Sequence, residues 1–163
     1  MQTIFDFQHN VDISKWNVVV DGVMGGESTG DFQLNEDGHG LFKGIISLEN
    51  NGGFSSVRYD MPEMKILNNK IVAIRLKGDG RNYQFRVKNN DRDYFSYITE
   101  FSTNGEWQDV KISLEDMYPS YRGRKLDKPD FNHSQIDEVS FFIANKKNEV
   151  FQLLIDKIEL KII

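Results

Sequence analysis

Hydrophobic and polar residues alternate along most of the chain in short stretches, each ending at a cluster of turn-forming residues such as Asn51-Gly52-Gly53 or Asn104-Gly105. Alternation with a period of two is typical of strands half-buried against a core, and closely spaced turns are typical of sandwiches and barrels. The chain is therefore expected to form a single all-β sandwich over residues 1–163. The pattern predicts strands at about 2–6, 17–20, 30–35, 40–48, 53–60, 70–77, 82–89, 94–101, 107–113, 136–144 and 150–161.

The same alternation assigns each side chain to one of two strand faces. In three predicted strands an arginine lies opposite the apolar face, at Arg58, Arg75 and Arg86. If these strands are neighbours, the arginines form one basic stripe, and Tyr97 and Trp107 are expected on the same face. Solvent faces of antiparallel sheets are polar by default. The stripe is therefore interpreted either as paired with internal acids or as open to an external anion.

The stretch DGVMGGESTG, which begins at Asp21, contains four glycines. A phosphate-binding P-loop continues with lysine after its last glycine, whereas Gly25-Gly26 is followed by Glu27. The spacing also fails the dinucleotide fingerprint and the nucleophile elbow. The stretch is interpreted as a tight turn with a positive φ at Gly25 or Gly26, plugged by the Met24 side chain. The alternative is that Asp21, Met24, Gly25 and Gly26 shape one wall of a binding surface.

A second motif, ENNGGFSSVR, contains Asn50 and Asn51 ahead of a Gly-Gly pair. Asparagine side chains bond to local backbone and the two glycines suit a hairpin, which is the structural interpretation. In the functional interpretation, Asn50, Asn51 and Arg58 line a groove together with the Gly25-Gly26 turn. Amide and guanidinium groups are good partners for sugar hydroxyls or peptide carbonyls.

Residues 115–134, EDMYPSYRGRKLDKPDFNHS, follow no strand or helix period. Irregular connections of this length inside a domain are usually functional or mobile. The segment is basic around Arg122, which is counted among the candidate binding residues.

Asp156 shares strand parity with apolar residues in the segment FQLLIDKIEL. A lone buried carboxylate is costly, so Asp156 is expected to have a partner. One interpretation is a structural Ca²⁺ site completed by Asp6 or Asp12, since calcium takes 6–8 oxygen ligands. The other is pairing with an arginine, or a bulge that turns Asp156 outward.

Composition excludes several function classes. The chain has no cysteine, which rules out thiolate catalysis and cysteine-ligated zinc, and its net charge of −5 argues against a general nucleic-acid binder. No signal peptide and no membrane span are predicted, so a cytoplasmic location is expected. The histidines are scattered through apparent loops with no metal spacing, and nothing selects a catalytic pair of acids among 25 carboxylates. No catalytic residues are therefore assigned.

Five stretches, in order along the chain, resemble the complex I intermediate-associated protein family. They are WNVVVDGVMGGESTG from Trp16, FKGIISLENNGGFSSVR from Phe42, LKGDGRNYQFRV from Leu76, GEWQDVKISLEDMYPSYRGRKL from Gly105 and FQLLIDKIEL from Phe151. The resemblance implies a jelly-roll sandwich similar to galactose-binding domains and to carbohydrate-binding modules. Its eukaryotic member looks like an assembly chaperone of respiratory complex I in mitochondria. From this sequence, neither the N-terminal extension that such targeting would need nor the nucleotide-binding domain that some members carry is expected.

The resemblance and the absence of a catalytic constellation predict a non-catalytic binding module that acts on a protein partner as an assembly or chaperone-like factor. The alternative is a module that binds carbohydrate or another small ligand on the polar sheet face. Beyond the calcium hypothesis, no cofactor is expected, and oligomeric state is left open.

Overall fold

The structure is a computed structural model that describes residues 1–68 and 70–162, without the side chains of Val23, Met24 and Asn51. It contains β-strands joined by turns and by three short 3₁₀ turns at Asp21–Met24, Glu49–Asn51 and Leu114–Asp116. No helix within the described ranges is long and apolar enough to cross a membrane. The strands are β1 (Gln2–Asp6), β2 (Trp16–Val20), β3 (Asp31–Leu34), β4 (Gly40–Ile46), β5 (Ser55–Lys65), β6 (Ile71–Lys77), β7 (Asn82–Lys88), β8 (Ser96–Ser102), β9 (Trp107–Ser113), β10 (Tyr118–Tyr121), β11 (Arg124–Lys125), β12 (Gln135–Ile143) and β13 (Glu149–Lys161).

The strands form two antiparallel sheets. The first sheet has the order β3-β4-β13-β6-β9, and β1 also pairs with β13. The second sheet has the order β11-β10-β8-β7-β12-β5-β2. The long β13 lies at the centre of the first sheet: β4 pairs with its first half and β1 with its second half. This arrangement confirms the predicted all-β sandwich of two packed sheets.

The inward faces of both sheets pack into one apolar core. Val72, Ile74 and Leu76 of β6 are fully buried, as their alternation predicts. Removing such a side chain from water stabilises the fold by roughly 1.5–3 kcal/mol. The largest fully buried side chains are Tyr83, Phe42, Phe85, Phe141, Phe151, Ile46, Ile74, Leu76, Leu114, Met117, Ile136 and Ile143.

Two strands, β10 and β11, lie inside the segment that shows no period in the sequence. They form a hairpin in which Tyr121 pairs with Arg124 across the two-residue loop Arg122-Gly123. Both loop residues have positive φ, 49° and 79°, as a type I′ turn requires. Because these strands are so short, their alternation cannot be recognised in the sequence, but the hairpin extends the second sheet beyond β8.

Candidate functional site

The two glycine-containing motifs meet at Asp21. Its side chain is 1% exposed, and its carboxylate accepts the backbone N–H groups of Ser28, Gly53 and Phe54. Asp21 follows β2 directly, in the 3₁₀ turn, so its backbone carbonyl also accepts the N–H of Gly26. One buried acid therefore fixes the turn at Gly25-Gly26 and the loop that leads into β5.

The charge on Asp21 is stabilised by these contacts. Burial alone would raise its pKa, but the hydrogen bonds from Ser28, Gly53 and Phe54 outweigh burial and lower the pKa below its ordinary value of 3.8. Asp21 is therefore an ionised structural anchor at neutral pH. Close by, Glu27 and Glu49 face each other, and their hydrogen bond and mutual repulsion raise the pKa of Glu27.

We call the place where the two motif loops meet at Asp21 the motif junction. Its glycines are required for two different reasons. Gly25 has a φ of 88°, which L side chains rarely adopt, and open space around it. Gly26 and Gly52 lie so close to the Asp21 carboxyl group that a Cβ on either would overlap it. The turn with positive φ at Gly25 is thus present as predicted, whereas the predicted plug, the Met24 side chain, lies outside the described residues.

The junction leads directly onto the outer face of the second sheet. Phe54, held by Asp21, stacks on Phe142 with ring centroids 5.1 Å apart and an interplanar angle of 14°. From the other side of β12, the Arg86 guanidinium carbon lies 3.6 Å from the Phe142 ring centroid. Arg86 also donates two hydrogen bonds to Gln84 Oε1, at 3.0 and 2.7 Å. Stacking and hydrogen bonding together hold this guanidinium in a fixed orientation.

A single cross-strand row contains Arg58 and Arg86. Arg58 on β5 and Arg86 on β7 both pair with Ser140 on β12, and the row ends at Asn17 on β2 and Tyr118 on β10. Residues opposite each other in antiparallel strands share a face. We call this set the arginine row: Asn17, Arg58, Ser140, Arg86, Ile98 and Tyr118.

Neither Arg58 nor Arg86 forms a salt bridge with a described residue, although the charge of Arg58 acts on the nearby carboxyl group of Glu138. Burial, together with repulsion from Arg58, lowers the pKa of Arg86 to about 10, and the effect of Tyr118 opposes that shift. Arg86 remains charged at neutral pH, and the two like charges lie close enough to destabilise each other.

Acids flank this row on both sides. Glu138 pairs with Lys88 and Asp60 in the next cross-strand row. Burial raises the pKa of Glu138, while Lys88 and Arg58 act to lower it. On the other side, Glu100 pairs with Gln84 and is exposed. The outer face thus presents a cationic centre between two acidic margins.

The predicted three-arginine stripe is wrong. Arg75 lies on β6 in the first sheet, whereas Arg58 and Arg86 lie in the second. Trp107 is also on the first sheet, where the Arg75 guanidinium lies 5.1 Å from its ring centroid. Parity shows only that each arginine faces away from the core, and it does not show which sheet contains the strand.

Tyr97 is not on the polar face either. It is 5% exposed on the core side of β8, where its ring packs edge-on against Phe131. Its hydroxyl lies 2.8 Å from His133 Nε2. The row residue next to it, Ile98, lies on the opposite face of β8, because strand neighbours point to opposite faces, but it is also buried, at 4% exposed.

Asp156 pairs with an arginine and lies in a bulge, which is the interpretation without a metal ion. The register of β13 against β6 shifts between Ile155 and Lys157, so Asp156 occupies a bulge. Its carboxylate lies 3.5 Å from Arg75 Nε and 3.6 Å from His39 Nε2. Across residues 1–68 and 70–162, no three His, Asp or Glu side chains are grouped so as to hold a metal ion. The calcium site with Asp6 or Asp12 therefore has no supporting geometry in this part of the chain.

The remaining candidates lie at loop positions. Asn50 is exposed in the 3₁₀ turn with a φ of 56°, in the loop that Asp21 holds. The side chain of Asn51 lies outside the described residues. Arg122 lies at the tip of the β10–β11 hairpin, with its guanidinium 5.3 Å from the Tyr121 ring centroid. Asp21 thus joins the two motif loops. The groove of Asn50, Asn51, Arg58 and the Gly25-Gly26 turn stays a prediction.

Sequence reasoning missed Phe142, Ser140 and Tyr118 as members of this face. A signal for two of them is present in the sequence of β12, where Val139, Phe141 and Ile143 are buried and alternate with Ser140 and Phe142. Parity therefore points Ser140 and Phe142 outward. That Phe142 contacts Arg86 follows only from the pairing of β12 with β7.

Comparison with known proteins identifies the family. The family model for complex I intermediate-associated protein 30 matches residues 5–155. The chain belongs to the complex I intermediate-associated protein 30 family. A mouse relative in this family, "Complex I intermediate-associated protein 30, mitochondrial", is 23% identical over an alignment of 178 residues that covers 95% of this chain and 54% of the mouse protein. This member of the complex I intermediate-associated protein 30 family therefore spans about half the length of the curated relative it matches.

Solved structures show the same fold in carbohydrate-binding modules. A family 11 module from Clostridium thermocellum, solved with a β-1,3-1,4-mixed-linked tetrasaccharide, is 14% identical with a TM-score of 0.71 and covers 99% of this chain and 95% of its own. The family 11 module of the cellulase Lic26A-Cel5E is also 14% identical, with a TM-score of 0.75 and coverage of 100% and 95%. At this identity, the likeness establishes that this complex I intermediate-associated protein 30 family member shares their sandwich fold.

Proposed function

We propose that the chain is a non-catalytic binding module that docks a protein partner on the outer face of its second sheet and acts as an assembly or chaperone-like factor. The observation that carries this proposal is the continuity between the motif junction at Asp21 and the arginine row through Phe54, Phe142 and Arg86. Loops that carry the family motifs are thus tied to a face with arginine side chains and aromatic rings. Aromatic residues and arginine are the side chains enriched at protein interfaces.

Family membership supports the same function. The mouse relative is named as a protein associated with an intermediate of complex I, which is an association with proteins. We infer that this chain likewise binds a subunit of a multiprotein complex before that complex is finished. The cytoplasmic location expected from the sequence remains a prediction, and the mouse relative is named as mitochondrial.

The test is affinity capture from lysate of the source cell, with reciprocal capture by the protein that is recovered. Asn17 is exposed at the edge of the arginine row, so Asn17→Trp covers the face without removing either arginine. Lys111→Trp is the matched control, because Lys111 is exposed on β9 in the first sheet. We expect a stoichiometric complex subunit that Asn17→Trp loses and Lys111→Trp retains. Repeated recovery of no partner would overturn the proposed function, and equal recovery by both variants would move the interface to another surface.

Carbohydrate binding is the second candidate, and one observation favours it. The arginine row combines an amide, two guanidinium groups, a hydroxyl and the Tyr118 ring, which together can bond and stack with sugars. A glycan array tests this, with Tyr118→Ala as the variant and Trp107→Ala as the control on the other sheet. Binding that Tyr118→Ala abolishes and Trp107→Ala preserves supports the candidate, whereas an array without any signal rejects it.

A further inference from the structure

We propose that Arg58 and Arg86 together bind a carboxylate of the docked partner, so that the partner presents an acidic segment to the arginine row. This inference rests on the proposed function and names the chemistry of its partner. It also explains how a chain with a net charge of −5 attracts an acidic segment, because the binding face is locally cationic.

The geometry of the row favours one shared anion. Arg58 and Arg86 lie on the two strands that flank β12, so their Cα atoms are about 10 Å apart. Ser140 is the residue between them, and its small side chain is 4% exposed. Two arginine side chains are long enough to reach one shared anion from that separation, with the Arg86 guanidinium held over the Phe142 ring on the same face.

Each guanidinium group has N–H donors available for a bound anion. Arginine carries five N–H donors, and the bonds of Arg86 to Gln84 come from Nε and Nη2. Contact with the Phe142 ring fixes the plane of the Arg86 group. Arg58 is exposed and adjusts to whatever anion is bound. The oriented guanidinium of Arg86 and the exposed guanidinium of Arg58 can therefore donate hydrogen bonds to the two oxygens of one carboxylate from two directions.

The charges favour an occupant with a single negative charge. Two neighbouring guanidinium groups repel each other, and an anion between them converts that repulsion into attraction. Burial and the charge of Arg58 lower the pKa of Arg86, which agrees with such a cost in the unbound state. The margins at Glu138 and Glu100 would repel a phosphate, which carries nearly two negative charges, more than a carboxylate. We therefore assign the shared anion to an aspartate or glutamate side chain of a protein.

The experiment measures fluorescence anisotropy with a fluorescein-labelled peptide of alternating serine and glutamate, and with its glutamine counterpart, at low salt. The variants are Arg58→Gln, Arg86→Gln and the double variant. The matched double control is Lys43→Gln with Lys111→Gln, since both lysines are exposed on the first sheet and neither forms a salt bridge with a described residue. Circular dichroism confirms that each variant is folded. If Arg86→Gln fails to fold, the exposed Arg58→Gln carries the test.

We expect the glutamate peptide to bind, the glutamine peptide not to bind, and each arginine variant to weaken binding about tenfold or more, since bonds between charged groups are worth that much. The double lysine control is expected to bind like the unmodified chain. No binding of the glutamate peptide, or equal loss in the lysine control, would overturn the inference. Displacement of the peptide by millimolar inorganic phosphate would also overturn it, because the arginine row would then be a phosphate site.

The capture assay separates this inference from the proposed function. If Arg58→Gln with Arg86→Gln still recovers the partner that Asn17→Trp loses, docking on this face stands and the carboxylate inference falls. If neither the unmodified chain nor any variant recovers a partner, the proposed function itself is wrong. If the arginine double variant loses the partner, both stand.

Discussion

The Asp21 carboxylate and the backbone N–H of Phe54 are hydrogen-bonded at 3.2 Å, although the two residues are 33 positions apart. This bond places Phe54 at the start of β5, where its ring stacks on Phe142 and so contributes to the face that carries Arg86. The position of Phe54 on the outer face of the second sheet therefore depends on a buried acid that does not itself lie on that face.

Replacing Asp21 by alanine is expected to destabilise the fold strongly. The change leaves the buried N–H groups of Ser28, Gly53 and Phe54 without their acceptor. Unsatisfied buried donors cost about 1–3 kcal/mol each, and the loops can relax in part, so we expect a total loss of about 3 kcal/mol. Urea unfolding measures it. Asp31→Ala, at an exposed position on β3, is the control and should change stability little. A loss from Asp21→Ala no larger than that of the control would contradict the anchoring role.

Asp21 should also make stability depend on pH in acid. Its pKa is lower in the folded state than the ordinary value of 3.8, because hydrogen bonds to the ionised form outweigh burial. A lowered carboxyl pKa adds stability that is fully present above the unfolded pKa and is lost as the pH falls through the folded pKa. The stability difference between the unmodified chain and Asp21→Asn should therefore be constant from about pH 7 to 5 and shrink below about pH 4. Urea midpoints at these pH values test it, and a difference that shrinks above pH 5 would contradict the assignment.

Alanine at the two neighbouring glycines should have unequal effects. At Gly26 a new Cβ overlaps the Asp21 carboxyl group, which its three hydrogen bonds prevent from moving aside, so we expect a loss of about 2–3 kcal/mol. At Gly25 the space is open and only the positive φ is unfavourable, which costs about 1 kcal/mol. Thermal or urea unfolding of both variants ranks them, and a larger loss at Gly25 would show that the turn has another conformation.

The alternation of side chains predicted the faces well and the sheets poorly. Val57, Ile74 and Phe85 are buried, and Arg58, Arg75 and Arg86 point away from the core, because a period of two is a local property of each strand. Which strands are neighbours depends on the chain topology, which local alternation does not encode. The prediction of one stripe failed because β6 lies in the first sheet, which separates Arg75 from Arg58 and Arg86 in the second sheet.

Two local irregularities limited the prediction of the site. A bulge at Asp156 breaks strand parity, and no residue in FQLLIDKIEL marks its position. The loops at Gly25-Gly26 and Gly52-Gly53 were recognised as turns from their composition. That Asp21 joins them follows from a contact spanning 32 residues, for which the sequence contains no local signal.

Calcium removal tests the two interpretations of Asp156. Its carboxylate is already matched by Arg75 and His39, so chelation followed by added Ca²⁺ should leave the melting temperature unchanged. Asp156→Asn should cost only about 1 kcal/mol or less, since both partners and the acid are partly exposed. Differential scanning fluorimetry measures both. A rise in melting temperature with Ca²⁺ that Asp156→Asn abolishes would restore the metal-site hypothesis.

Tyr97 distinguishes a core residue from a ligand contact. Because its ring is buried against Phe131 and its hydroxyl bonds to His133, Tyr97→Phe should lose one hydrogen bond and about 1 kcal/mol of stability. Tyr97→Ala removes the ring as well and should cost about 3–5 kcal/mol. Binding on the outer face should be unaffected in Tyr97→Phe, whereas Tyr118→Ala changes a residue of the arginine row. Urea unfolding and peptide or glycan binding are measured on the same preparations. Loss of binding by Tyr97→Phe with unchanged stability would place Tyr97 in the site and contradict the inward position of its side chain.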